Sequence, residues 1–144
     1  MQRIVVGVDT SDRAAFVLSE AIALAQAGRA KLIVVRGIGL PVEFPLEALS
    51  IAPDAMPATL QKITQQGLDR FVAKVPPDVF ERAEARIGTP WQVVCDAAKE
   101  HHANLVIVGT HGHGAIDRLL GTTAARVVNH APCSVLVVRE PPKA

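Results

Sequence analysis

Five short apolar runs punctuate the chain: Ile4 to Val8, Leu32 to Val35, a weaker one from Phe80 to Ile87, Leu105 to Val108, and Val135 to Val138. Four are nearly continuous in Val, Ile and Leu, without clean alternation, which suits parallel strands buried on both faces. Helical periodicity fills the intervals. Ala14, Val17, Leu18, Ala21, Leu24 and Ala25 recur at three and four, as do Leu60, Ile63, Gly67, Leu68, Phe71 and Val75. Trp91, Val94, Cys95 and Ala98 form a third stripe, and Ala124, Val127, Val128 and Ala131 a fourth. The third helix has a marked start, with Thr89 as N-cap, Pro90 in the first helical position and Gln92 three after the cap. The order β-α-β-α-β-α-β-α-β predicts an α/β fold: a doubly wound, five-stranded parallel sheet with four helices. Residues 1–140 read as one domain, and Pro141 to Ala144 as a flexible tail. From Gly37 to Pro57 the chain carries Pro41, Pro45, Pro53 and Pro57 and keeps no steady period, so this long connection is expected to be a lid or partner surface.

Composition narrows the partners. A net charge of +1 and the lack of a dense Lys/Arg cluster argue against nucleic acid or an anionic membrane. Aromatic residues are scarce, so a base-stacking platform is not expected. No apolar run approaches the roughly 18 residues that span a bilayer, and the chain opens directly on a strand rather than a signal peptide. Cys95 and Cys133 form no C-x-x-C pair, as suits a reduced, cytoplasmic protein.

In open parallel sheets, ligands bind beyond the carboxyl ends of strands, where the strand order reverses. After the first strand come Asp9-Thr10-Ser11-Asp12; after the second, Arg36-Gly37-Ile38-Gly39. After the fourth come Gly109-Thr110-His111-Gly112-His113-Gly114, and later Gly121-Thr122-Thr123 opens the last helix. Closely spaced glycines let bare N–H groups approach an anion, and a helix N-terminus adds unpaired amides and a positive dipole end. Two anion-holding elements in one segment point to a polyphosphate. The pattern is neither a Walker A loop nor the G-x-G-x-x-G fingerprint, and the third strand ends without a phosphoacceptor aspartate.

The stretch Asn104-Leu105-Val106-Ile107-Val108-Gly109-Thr110-His111-Gly112, then Gly121-Thr122 and His130-Ala131-Pro132-Cys133-Ser134-Val135-Leu136-Val137-Val138, resembles the universal stress protein family. The opening Ile4-Val5-Val6-Gly7-Val8-Asp9-Thr10-Ser11 is similar to that family's first strand and turn. The resemblance implies a Rossmann-like fold of the adenine-nucleotide alpha-hydrolase-like type, and an ATP site. Gly7, Val8 and Asp9 would line the adenosine side, and Gly37 would present backbone groups to adenine. Val108, Gly109, Thr110, His111, Gly112 and His113 would wrap ribose and phosphates, and Gly121, Thr122 and Thr123 would hold the outer phosphates. Mg²⁺ or Mn²⁺ would ride on those phosphates rather than occupy a protein site. The ATP-binding branch carries G-x-x-G, nine residues, then G-[ST]; here eight residues separate Gly112 from Gly121. The missing residue falls near Leu119-Leu120 and is expected to move the helix N-terminus relative to the phosphates. The resemblance also implies a homodimer paired through the last strand, Cys133 to Arg139, which reads as an apolar edge without an internal proline.

Other readings of these residues stay open. Asp9 with Ser11 suits a cap on the first helix, Thr122 an N-cap, and Gly121 a plain turn. His111 and His113 lack the further ligands of a metal site, and His101-His102 suits an exposed helix end. Trp91, Cys95 and Cys133 read as packing residues. Among functions, an ATP-binding regulatory module competes with a slow ATP hydrolase or transferase and with a dimeric interaction protein whose pocket is vacant. No lysine, acidic pair or nucleophile–histidine arrangement lies near the phosphate segments. That favours binding over efficient catalysis.

Overall fold

The computed structural model describes residues 2–39, 55–110 and 120–141. Its elements alternate as the apolar runs anticipate: β1 (Arg3–Gly7), α1 (Ala14–Gly28), β2 (Lys31–Ile38), α2 (Ala55–Phe71), β3 (Phe80–Ile87), α3 (Pro90–Glu100), β4 (Leu105–Gly109), α4 (Thr122–His130) and β5 (Ser134–Val138). The strands form one sheet in the order β3-β2-β1-β4-β5, every pair parallel. β1 pairs Ile4 with Leu32 on one side and with Leu105 on the other. Successive strand residues point to opposite faces. Ile4, Val6, Leu32, Val34 and Ile107 therefore meet α1 and α2, while Val5, Ile33, Val35, Val106 and Val108 meet α3 and α4. Burying each such side chain contributes about 1.5–3 kcal/mol. The long connection after β2 lies largely outside the described residues.

Some expected stripe positions are exposed instead. Leu24 and Val128 sit on the flanks of their helices, and Ile63 on α2 faces solvent. The reason at Ile63 is the way α2 packs. Its glutamines reach the outer edge of β3: the Gln65 side chain accepts from the Ala85 N–H at 2.8 Å and donates to the Ala83 carbonyl at 2.9 Å. Gln61 donates to the Ala85 carbonyl at 3.1 Å. The helix covers a strand edge with polar side chains, which loosens the demand for a wide apolar stripe.

Two of the expected caps are corrected, and the third stands in its place without a side-chain bond. The residue before α1 is Arg13, so Asp9 does not cap that helix. Thr89 does precede Pro90 at the start of α3, but its side chain makes no capping bond. Gly121, in extended conformation, precedes α4, so Thr122 is the first helical residue rather than the N-cap.

His101 is not simply an exposed helix end. Its Nε2 lies 2.8 Å from Oε1 of Glu84, a carboxylate whose Oε2 accepts from Arg86 at 2.6 Å. Arg86 also reaches Glu100 at 2.7 Å, so β3 and α3 are laced together by charge. Burial alone would raise the Glu84 pKa, but Arg86 and then His101 outweigh it and hold the carboxyl below its ordinary value. The resulting stabilisation is complete above the unfolded value of about 4.3 and is lost as pH falls through the lower folded value. Acid unfolding followed by circular dichroism should therefore show a shallower loss of stability below about pH 4 in Glu84→Gln than in wild type.

The start of α3 presses on the sheet at one glycine. A methyl group on Gly37 would stand 2.7 Å from the Pro90 Cα, a backbone atom that cannot swing away. Gly37→Ala is expected to cost about 1–3 kcal/mol in thermal or urea unfolding. Gly39→Ala, where nothing lies within 4 Å, is the control and should change little.

Candidate functional site

β2 and β4 flank β1, and their outgoing chains lead to opposite sides of the sheet. The carboxyl ends of β1 and β4 thus border a crevice of the kind doubly wound sheets use for ligands. A cavity opens there. Gly7, Val8 and Asp9 line it from β1, Gly37 from β2, Val108 and Gly109 from β4, and Gly121, Thr122 and Thr123 from the start of α4. Residues from four separate stretches of sequence, all singled out above, are brought together. Thr110 is buried beside them and is absent from the cavity wall. His111, Gly112 and His113 lie outside the described residues.

Thr110 links the two ends of the glycine segment. Its carbonyl accepts from the Gly121 N–H at 2.7 Å, and its own N–H donates to the Val138 carbonyl at 3.2 Å. The start of α4 is thereby held against the end of β4. The first intrahelical bond of α4 runs from the Ala125 N–H to the Gly121 carbonyl. The amides of Thr122, Thr123 and Ala124 therefore have no intrahelical acceptor. All three residues line the cavity, and among the described residues no side-chain cap bond is made at the start of the helix. Three donors, two threonines and a positive dipole end converge on one wall.

The turn after β1 lines the same cavity. Asp9 Oδ1 accepts from the Ser11 N–H at 2.8 Å and from the Ser11 Oγ at 2.6 Å. This closes an Asx turn and fixes the carboxylate at the cavity rim. Ser11, Arg13, Ala14 and Val17 also line the cavity, as do Pro90 and Val94 of α3. Sequence reasoning did not single these out as site residues. Val17 and Val94 read as stripe residues, and they are; the cavity floor is the end of the core. Gly7 has a packing reason of the same kind, since a methyl there would lie 2.8 Å from the Val94 Cγ2. Arg13 was legible only as a cation following Asp9 in the same turn. It gives the wall a positive charge that the search for lysines overlooked.

Beyond the crevice, the side chain of Trp91 packs on α4, with its ring centroid 4.6 Å from that of His130 and 5.7 Å from the Arg126 guanidinium carbon. Burial raises the pKa of both Cys95 and Cys133, the first also through Asp96, as expected of packing thiols rather than nucleophiles. Among the described residues, no group of three or more His, Cys, Asp or Glu side chains is arranged to hold a metal ion. Nor is any helix there long and apolar enough to cross a membrane.

Fold and crevice together define a doubly wound parallel α/β protein with a cavity at the switch point of its sheet. The chain belongs to the universal stress protein family, whose model matches residues 1–139. It is 30% identical over 140 residues to Universal stress protein A homolog 1 of Coxiella burnetii, with 95% of each chain covered. Among solved structures it is similar to universal stress protein UspA from Lactobacillus plantarum, at 31% identity and a TM-score of 0.71 over 96% of this chain and 97% of that one. It is also similar to a universal stress protein solved in complex with cAMP, at 29% identity and a TM-score of 0.63 over 95% of this chain and 96% of that one.

Proposed function

We propose that this protein is an ATP-binding regulatory module of the cytoplasm, acting in a stress response as a homodimer. The observation that carries the reading is the meeting of two kinds of group in one cavity. The first-turn residues Thr122, Thr123 and Ala124, whose amides have no intrahelical acceptor, and Asp9 with its carboxylate all line it. Such a site suits a ligand with hydroxyls at one end and several negative charges at the other. The relative solved with cAMP supports an adenine nucleotide as the class. Several amides and two hydroxyls favour an extended polyphosphate over a single cyclic phosphate. The residues present thus fit ATP, with Asp9 on the ribose side and Gly109, Gly121, Thr122 and Thr123 on the phosphate side. A divalent ion would enter on the nucleotide, where it screens phosphate charge. The side chains lining the cavity are suited to recognition: a carboxylate accepts from hydroxyls, and threonine hydroxyls donate to phosphate oxygens.

Calorimetric titration with ATP, AMP, cAMP and adenosine tests the class and the preference, with ATP expected to bind most tightly. Thr122→Ala removes a hydroxyl donor to a charged oxygen, worth roughly 1.5–3 kcal/mol. It should weaken ATP by tenfold or more and leave adenosine unchanged. Equal affinity of wild type for ATP and adenosine would refute a phosphate role for this wall. Trp91, next to the lining residue Pro90, supplies an intrinsic fluorescence signal for the same titration.

The dimer rests on the contrast between the sheet's two edges. β3 bears Glu81, Arg82, Glu84 and Arg86 and is bonded by the glutamines of α2. β5 reads Ser-Val-Leu-Val-Val, with Leu136 exposed. An apolar edge of this kind favours strand pairing with a second copy. Leu136→Lys is a cleaner probe than Val137→Lys, because Val137 packs on the inner cluster. Light scattering should show a dimer for wild type at tens of micromolar and a monomer for Leu136→Lys; a wild-type monomer would count against the interface.

A further inference from the structure

Arg36 stands at the end of β2, one residue before Gly37, and shares the α1–α2 face with Leu32 and Val34. It does not line the cavity. An aliphatic residue there would continue the Leu32–Val34 row without cost, yet a guanidinium is kept. Its Nε is buried and has no hydrogen-bond partner among the described residues. Burial pushes the Arg36 pKa below its ordinary value, with the Asp9 charge acting in the opposite sense. Holding a partly desolvated cation in this place needs a compensating task.

Two contacts indicate that task. Nη2 donates to the backbone carbonyl of Asp9 at 3.1 Å. The guanidinium carbon lies 5.6 Å from the centroid of the Phe71 ring at the end of α2, so the ring restricts where the fork can point. The Asp9 peptide needs such an anchor. The last bond tying this turn to the β2 ladder is the one from the Val8 N–H to the Val35 carbonyl, and Asp9 is the next residue out. The Asp9 carboxylate is then tied forward to Ser11. Arg36 fixes the peptide and Ser11 fixes the side chain.

We propose that Arg36 is a positioning residue for the nucleotide site: it clamps the Asp9 peptide so that the Asp9 carboxylate is held at the cavity rim before ligand arrives. This rests on the ATP reading above and adds how its ribose side is pre-organised. The clamp acts through Asp9, so its loss should affect ATP and adenosine alike, unlike the loss of Thr122.

The test is a double-mutant cycle with a second, ligand-free readout. Arg36→Met keeps an apolar stem over Phe71 and removes the donor; Arg36→Lys keeps a charge and a donor. Arg36→Met should lower affinity for ATP and for adenosine by about tenfold each, with Arg36→Lys recovering most of it. In an Asp9→Asn background, Arg36→Met should cause no further loss. In the ligand-free protein, hydrogen exchange at the Ser11 amide should quicken about tenfold in Arg36→Met, while the β1 amides and the melting temperature stay close to wild type. Unchanged Ser11 exchange, or an equal loss of affinity in both Asp9 backgrounds, would overturn the clamp. If wild type binds no adenine nucleotide but Ser11 exchange quickens as expected, the clamp stands and the ATP reading falls.

Discussion

The rest of the structure depends on the placement of β1 between two parallel neighbours. Val5 and Val6 are fully buried on opposite faces, so β1 must be covered above and below. Parallel pairing prevents a hairpin return, and each link to the next strand must cross a face of the sheet. The links β1-α1-β2 and β2-α2-β3 build one flank, and β4-α4-β5 builds the other after α3 crosses back. Two flanks wound outward from one strand leave their outgoing loops parted at its carboxyl end. The crevice is the geometric residue of that arrangement, and Asp9 and Gly109 border it because each follows or ends one of the two diverging strands.

The same packing constrains what the crevice can contain. α3 lies so close that Gly7 and Gly37 have no room for a side chain. Their lack of Cβ atoms is explained before any ligand is considered, yet it leaves bare backbone on the cavity wall, which is the surface a flat ligand approaches most closely. Packing and binding therefore make one demand at these positions. At Asp9 the demands separate. A turn could be closed by serine or asparagine, but a carboxylate held by Ser11, on a peptide bonded by Arg36, puts a negative charge in the cavity that the first turn of α4 also lines.

Much of this was legible in the sequence. Runs of Val and Ile located the strands, and Gly109, Gly121, Thr122 and Thr123 located part of the cavity lining, because burial and helix termini leave local marks. What stayed hidden is non-local. Ile63 is exposed because Gln61 and Gln65, unremarkable in a helical pattern, bond to an edge strand about twenty residues away. Periodicity reports how many faces of an element are buried, not whether it lies at a sheet's rim. Arg36 read as a residue ending an apolar run, and its partners Asp9 and Phe71 come from two other elements. His101 read as a surface residue because the half-buried carboxylate that it meets lies on β3. The Thr122 hydroxyl competed with Gly121 for the capping position, and short-range sequence cannot rank them when the preceding loop is closed by a backbone bond.

That backbone bond also bears on the shortened glycine motif. A spacer of eight residues instead of nine would matter if spacer length set where α4 begins. Two other constraints set it. The Gly121 N–H is held by the Thr110 carbonyl at 2.7 Å, so the start of α4 is tied to the end of β4. The rotation of α4 about its axis is set by Ala124 and Val127, which are buried against the α3 face of the sheet. Height and rotation are thus fixed by contacts outside the spacer. For a flexible loop, losing one residue in nine changes the closure entropy by only about 0.1 kcal/mol. The first-turn amides of α4 consequently keep their place on the cavity wall. The shorter spacing therefore leaves the first turn of α4 where the sheet and Thr110 hold it.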